Sequence, residues 1–345
     1  MGKDRYDYLI KGGRLLCAAD GEDGVRDIAV TGRRIARIGT IPETDAKMTI
    51  RADGCLVTPG LIDMHAHLSP FSEIGVYPEP ACFPSGVTTA VDAGSTGASN
   101  YPILRAGAYG THVNIYAFLN VCSTGLATRS FHENLEPGRY DRDKIRELFR
   151  QYGGRELLGL KVRQSAELVG DLGLAPMKAA LELSGELGAP LMVHITNPPC
   201  QLDELVDLLG PGDIVTHAYQ DSHSTILGPD GRVSPAVRAA RERGVIFDVA
   251  NANAHFSFRV ARAAIADGFL PDTISTDLTN MGLYRRPNAF NLLHIMSKYL
   301  NLGLTLEQVI ERTTRNPARI IGRPELGCLA EGGVADIAVF RQEDR

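Results

Sequence analysis

The chain is predicted to be an α/β protein, a (β/α)8 TIM barrel with a small β-sandwich domain formed from both chain ends. Three observations point there. Short apolar runs alternate with amphipathic helical stretches eight times through the middle of the chain. The first fifty-odd residues instead alternate β-like runs with glycine-containing turns, and a run of that character returns near the C-terminus. No GxGxxG follows the first central strand, which sets an open dinucleotide-binding sheet behind a closed barrel.

Taken in order, "YDYLIKGGRLL", "DIAVTGRRIARIG" and "MTIRADGCLVTPG" are strands joined by turns, and "GGVADIAVFR" is their C-terminal companion. The barrel strands are "GLIDMHAH", "VTTAVDAG", "HVNIYAFLNV", "LLGLKVRQ", "PLMVHITN", "DIVTHAYQ", "VIFDVAN" and "DTISTDL". Helices over "APMKAALELSGELG", "SPAVRAARERG" and "FRVARAAIADG" stop at Gly188, Gly244 and Gly268, where a left-handed residue closes a helix at little steric cost. The expected division is residues 1–57 and 318–345 for the β domain and 58–317 for the barrel.

With 345 residues and 44% hydrophobic content the chain can build a large core. A net charge of −5 offers no basic field for nucleic acid or anionic lipid. Six cysteines (17, 55, 82, 122, 200, 328) include no CxxC pair, as expected of reduced thiols in a cytoplasmic protein. "MGKDRYDYLIKGG" lacks an apolar core segment and no run approaches ~18 apolar residues, so neither a signal peptide nor a membrane span is expected. The expected partner is a small-molecule substrate, not nucleic acid or membrane, with a homo-oligomer left open.

Barrel enzymes keep their chemistry at the C-terminal ends of the strands. In "GLIDMHAHL" His65 and His67 are two apart, so both rings share one face of a strand. Lys161, His194, His217 and Asp277 end four further strands. A single histidine at a strand end is most often a satisfied core or surface residue; six such groups converging on one mouth are not. Imidazoles and a carboxylate suit zinc or a similar divalent ion. The lysine fits such a set as a neutral amine or as a carbamate, whose two oxygens can bridge two ions; burial near cations favours the free amine.

Weaker candidates surround this set. Arg163 shares the face of Lys161 and could hold a substrate carboxylate, or equally a structural ion pair. Tyr219 and His255 are candidate pocket residues, and Asp63 a support for the HxH strand. His112, His132, His223 and His294 fall in places typical of solvated or structural histidines, and "FHENLEPGRYDRDK" is expected to be a solvated loop leading into a helix.

On "PGLIDMHAHL", Lys161, His194, His217, Asp277 and the late "NPARIIG…GCLAEGGVADIAVF", the chain resembles the amidohydrolase superfamily, in its amidohydrolase/deacetylase branch near dihydroorotases and D-aminoacylases. The resemblance implies a binuclear metal-dependent hydrolase of amide or ester bonds in an N-acyl or O-acyl carboxylate. It implies His65, His67 and Asp277 on a buried ion and His194 and His217 on an outer one. Carboxylated Lys161 and a hydroxide would bridge the two, with Asp277 as general acid/base. The alternatives are a dihydroorotase-like cyclic-amide hydrolase and, outside enzymes, a metal-binding scaffold. Two departures stand out: "DVANANAHFSF" where the branch tends to read "DVGHGxGSFSF", placing Asn251 at the usual histidine and His255 nearby, and an early end after "ADIAVFRQEDR".

Overall fold

The computed structural model describes residues 5–17, 22–128, 133–252, 254–284 and 290–343. Its strands are β1 (Tyr6–Cys17), β2 (Glu22–Thr31), β3 (Arg34–Gly39), β4 (Ala46–Arg51), β5 (Leu56–Pro59), β6 (Leu61–Ala66), β7 (Val87–Gly97), β8 (Asn114–Asn120), β9 (Leu157–Arg163), β10 (Leu191–His194), β11 (Ile214–Thr216), β12 (Ile246–Asp248) and β13 (Ile337–Phe340). The chain separates into two compact units, one of Met1–Ile62, Gly86–Thr89 and Leu304–Arg345, the other of Asp63–Ser85 and Ala90–Gly303.

In the first unit the strand order is β13-β5-β1-β2-β3, with β4 also on β1. The C-terminal run joins the N-terminal ones as expected, because β13 pairs antiparallel with β5, Val339 opposite Val57. Alternation along β1 sends neighbouring residues into separate cores. Ile10 packs with Leu15, Ile28, Ile35 and Val57, while Leu9 packs with Tyr6, Ala29 and Ile41. One sheet thus buries apolar side chains on both faces. Buried Asp27 ties the turn together, accepting from the Lys11 ammonium at 2.8 Å and the Ile41 amide at 2.8 Å.

The second unit carries a parallel sheet in strictly sequential order, β6 to β12. The eighth expected strand, 272–278, is an extended segment held by bridges at both ends, Thr273 to Asp248 of β12 and Leu278 to Ala66 of β6. The Asp277 amide donates to the His65 carbonyl at 2.7 Å and the His67 amide to the Leu278 carbonyl at 2.9 Å, closing the ring. Asp63 seals the same seam by accepting from the backbone N–H and the hydroxyl of Thr276.

The outer helices sit where the apolar period places them, at Ala175–Leu187, Pro235–Glu242 and Phe258–Ala266. Ser234 and Ser257 cap the last two by accepting from the Val237 and Val260 amides. Gly188 closes the first at φ +59°, a left-handed conformation that costs other residues. Among the described residues no helix is long and apolar enough to cross a membrane.

Candidate metal centre

Four strand ends and the closing segment bring His65, His67, Lys161, His194, His217 and Asp277 to one cavity of about 410 Å³. Adjacent strands in register do the positioning: Lys161 of β9 pairs with Met192 of β10, and His194 pairs with Thr216 of β11. The chain then turns sharply. His217 and Asp277 take left-handed φ values of +69° and +53°, strained for side chains with a Cβ and typical of backbone held for a function.

The imidazoles are fixed from behind. The Thr216 hydroxyl donates to Asp248 Oδ2 at 2.8 Å, so it must accept from His65 Nδ1, 2.8 Å away. His217 Nδ1 donates to the Ala250 carbonyl at 2.8 Å. In both rings the Nε2 lone pair is therefore free. His67 Nδ1 lies 2.9 Å from the Ser95 hydroxyl, while its Nε2 is 3.1 Å from Asp277 Oδ1. His65 Nε2 is 3.5 Å from the same oxygen. Burial holds His65, His194 and His217 well below the ordinary imidazole value, and the surrounding positive groups push the same way. Neutral imidazoles anchored through one nitrogen with the other exposed to a shared space are how proteins present ligands to a divalent ion. The set His65–His217–Asp277 and the set His194–His217–His255 each gather their ligand atoms within 4.8 Å. The donors therefore fit divalent metal.

Lys161 is buried, and its ammonium meets the Met192 sulfur at 3.4 Å. Burial lowers its pKa to about 7, against the opposing pull of Asp277 and Asp248. Gly94 on β7 makes room for it: a Cβ there would stand 2.6 Å from Lys161 Cγ. Arg163 also faces the cavity, as its spacing from Lys161 predicts, and pairs with Glu133 at 2.8 Å. That pairing corrects the reading of "FHENLEPGRYDRDK" as solvated, since Glu133 is buried and also accepts from Asn120 at 2.8 Å. The helix start is found, Arg142–Tyr152, capped by Asp141.

The structure does not bring Tyr219 to the cavity. Its hydroxyl donates to the Phe269 carbonyl at 2.8 Å inside the protein. The left-handed turn at His217 breaks the strand alternation that would have kept the two residues on one face. His255 does line the cavity, with Nδ1 2.8 Å from the Thr196 hydroxyl. Asn251 is buried elsewhere, accepting from the Lys298 ammonium at 3.2 Å. His112 pairs with Glu79 at an exposed position, and His132 lies outside the described residues. Sequence reasoning missed Ser95, Thr196, Thr216 and Asp248, single polar residues that no spacing distinguishes.

Comparison with known proteins agrees with this fold. The amidohydrolase family model matches residues 56–344. A protein named deacetylase from Agrobacterium fabrum is 37% identical over 91% of this chain and 78% of its own. A crystal structure of an adenine deaminase superposes with TM-score 0.88 at 28% identity, over 97% of this chain and 90% of that one. A crystal structure of a dihydroorotase superposes with TM-score 0.85 at 32% identity, over 96% and 88%. A parallel barrel whose strand ends gather histidines, a lysine and an aspartate fit for divalent metal, matched over most of its length, makes this chain a hydrolase belonging to the amidohydrolase family.

Proposed function

We propose that the protein is a binuclear metal hydrolase that cleaves an acyl bond, amide or ester, in a small N-acyl or O-acyl carboxylate. The observation that carries the proposal is Lys161, a buried lysine with a pKa of about 7 among four imidazoles and an aspartate. A neutral amine there can attack carbon dioxide, forming an N–C bond and releasing a proton, to give a carbamate. Its two oxygens would supply the bridge that a pair of ions requires. His65, His67 and Asp277 would hold one ion, His194 and His217 the other, with zinc favoured by the nitrogen-rich donor set. Such ions supply carbonyl polarisation and a lowered pKa of water.

The chain's own groups do the rest. Asp277 points one oxygen at His65 and His67 and the other, Oδ2, toward His255 at 3.8 Å. It can take a proton from the attacking water and return it to the leaving nitrogen or oxygen. Arg163, which lines the cavity and pairs with Glu133, would receive a substrate carboxylate there. Support for acyl cleavage comes from the relative named deacetylase. Support for the rival, opening of a cyclic amide, comes from the likeness to a dihydroorotase structure. A cytoplasmic setting is part of the same proposal, in keeping with the free thiols of Cys55, Cys82, Cys122, Cys200 and Cys328.

The test is metal analysis of purified protein combined with a screen of N-acetyl and O-acetyl acids. Two equivalents of metal with turnover of an acyl acid is the expected result. Turnover confined to dihydroorotate or hydantoins would select the rival, and metal-free protein that cannot be reconstituted would select the scaffold.

A further inference from the structure

The loop after β12 brings one more imidazole to the outer side of the site. His255 lies with its ring centroid 4.2 Å from that of His217 and 5.0 Å from that of His194, while His194 and His217 are 4.4 Å apart. The ligand nitrogens of all three fall within 4.8 Å of one another. A tetrahedral shell with bonds of ~2.0 Å places its donors about 3.3 Å apart, so small ring movements would complete the set. His255 is anchored as His65, His67 and His217 are. Its Nδ1 is 2.8 Å from the Thr196 hydroxyl, leaving Nε2 for the cavity. A histidine whose only task was to touch substrate at the rim would not need this anchoring, nor a half-buried place beside two other imidazoles. Asn251, a polar side chain of the same turn, faces Lys298 and cannot serve instead.

We propose that His255 is a metal ligand and completes a three-imidazole set with His194 and His217 for the outer divalent ion. This rests on the binuclear reading above, and it departs from the expectation that His255 only lines the substrate pocket. Thr196 becomes a positioning residue that fixes the ring through Nδ1.

The experiment is titration of chelator-stripped protein with Zn²⁺, followed by calorimetry, and with Co²⁺, followed by its visible absorption. It compares wild type, His255→Ala and Thr196→Val. Wild type is expected to take up two equivalents. Since loss of a group that merely orients a ligand costs about 10- to 100-fold in metal affinity, Thr196→Val should weaken the second equivalent by that much. His255→Ala should weaken it about 100-fold or more, with a changed Co²⁺ spectrum, while the first equivalent binds as before. Two equivalents at wild-type affinity and an unchanged spectrum in His255→Ala would overturn the inference and leave the binuclear reading standing, whatever the variant's turnover. Fewer than two equivalents in wild type would overturn both. Metal-free thermal melts of the variants check that each is folded, and Thr196→Val, which leaves the imidazole in place, keeps the inference exposed to refutation even if His255→Ala does not fold.

Discussion

A buried ammonium is among the most costly groups a core can hold, and Lys161 lacks an ion pair to offset that cost among the described residues. The cost is relieved if the amine is neutral, as a pKa of about 7 allows, or if it becomes an anionic carbamate facing cations. Lys161→Ala should therefore lower turnover by about a thousandfold or more, the scale of removing a central electrostatic group. Short carboxylic acids such as acetate or propionate should partly restore activity by filling the space with an anion. Full activity without them would refute the bridging role. The histidines follow the same logic from the opposite side: burial keeps them neutral, and the groups behind them decide which nitrogen stays free.

Strands are what turn these residues into a site, and their regularity decided what could be read in advance. Along β9 the backbone keeps its alternation, so Lys161 and Arg163 share a face as their spacing requires. At His217 the left-handed turn ends that alternation, and Tyr219, spaced identically, goes into the core. Apolar runs ending in His, Lys or Asp were therefore legible, while the hydroxyls behind them were not. Thr216, Ser95 and Thr196 look like any strand-end Thr or Ser until the neighbouring strand is in place. Cross-strand fit has its own consequence at Gly94, where φ is +87° and Lys161 fills the space of a side chain. Gly94→Ala is expected to destabilise the protein by about 1–3 kcal/mol through backbone strain and crowding, and to lower bound metal by displacing Lys161; a thermal melt and metal analysis measure both. Between helices, Asp267 joins two neighbours by accepting from Arg232, Arg238 and the Val233 amide, and its pKa falls from 3.8 to about 2. Because the folded value is depressed, its contribution is present above pH ~4 and lost as pH falls through ~2. The stability deficit of Asp267→Asn should be constant at neutral pH and vanish in acid. A deficit that is as large at pH 2 as at neutral pH would mean the effect is packing, not charge.

Across the whole molecule, alternation of apolar runs and helices was enough to foresee a closed parallel barrel, because eight such units leave few other ways to bury every strand face. The return of β13 to β5 was foreseeable from its β-like pattern. The closing segment was harder to read, since Thr273, Ser275, Thr276 and Asp277 dilute its apolar character and its place depends on bonds to β6 and β12. Both ends of that segment matter to function, as closure is what carries Asp277 to the histidines of β6. The proposal makes one geometric demand of the entire fold: two cations must sit together where these elements meet. Diffraction from crystals of the purified, metal-loaded protein at the metal absorption edge measures this directly. The account predicts two anomalous peaks about 3.5–4 Å apart, flanked by His65, His67 and Asp277 on one side and His194, His217 and His255 on the other, with carboxylated Lys161 density between them. A single peak, or two peaks with an unmodified Lys161 turned away from both, would contradict it.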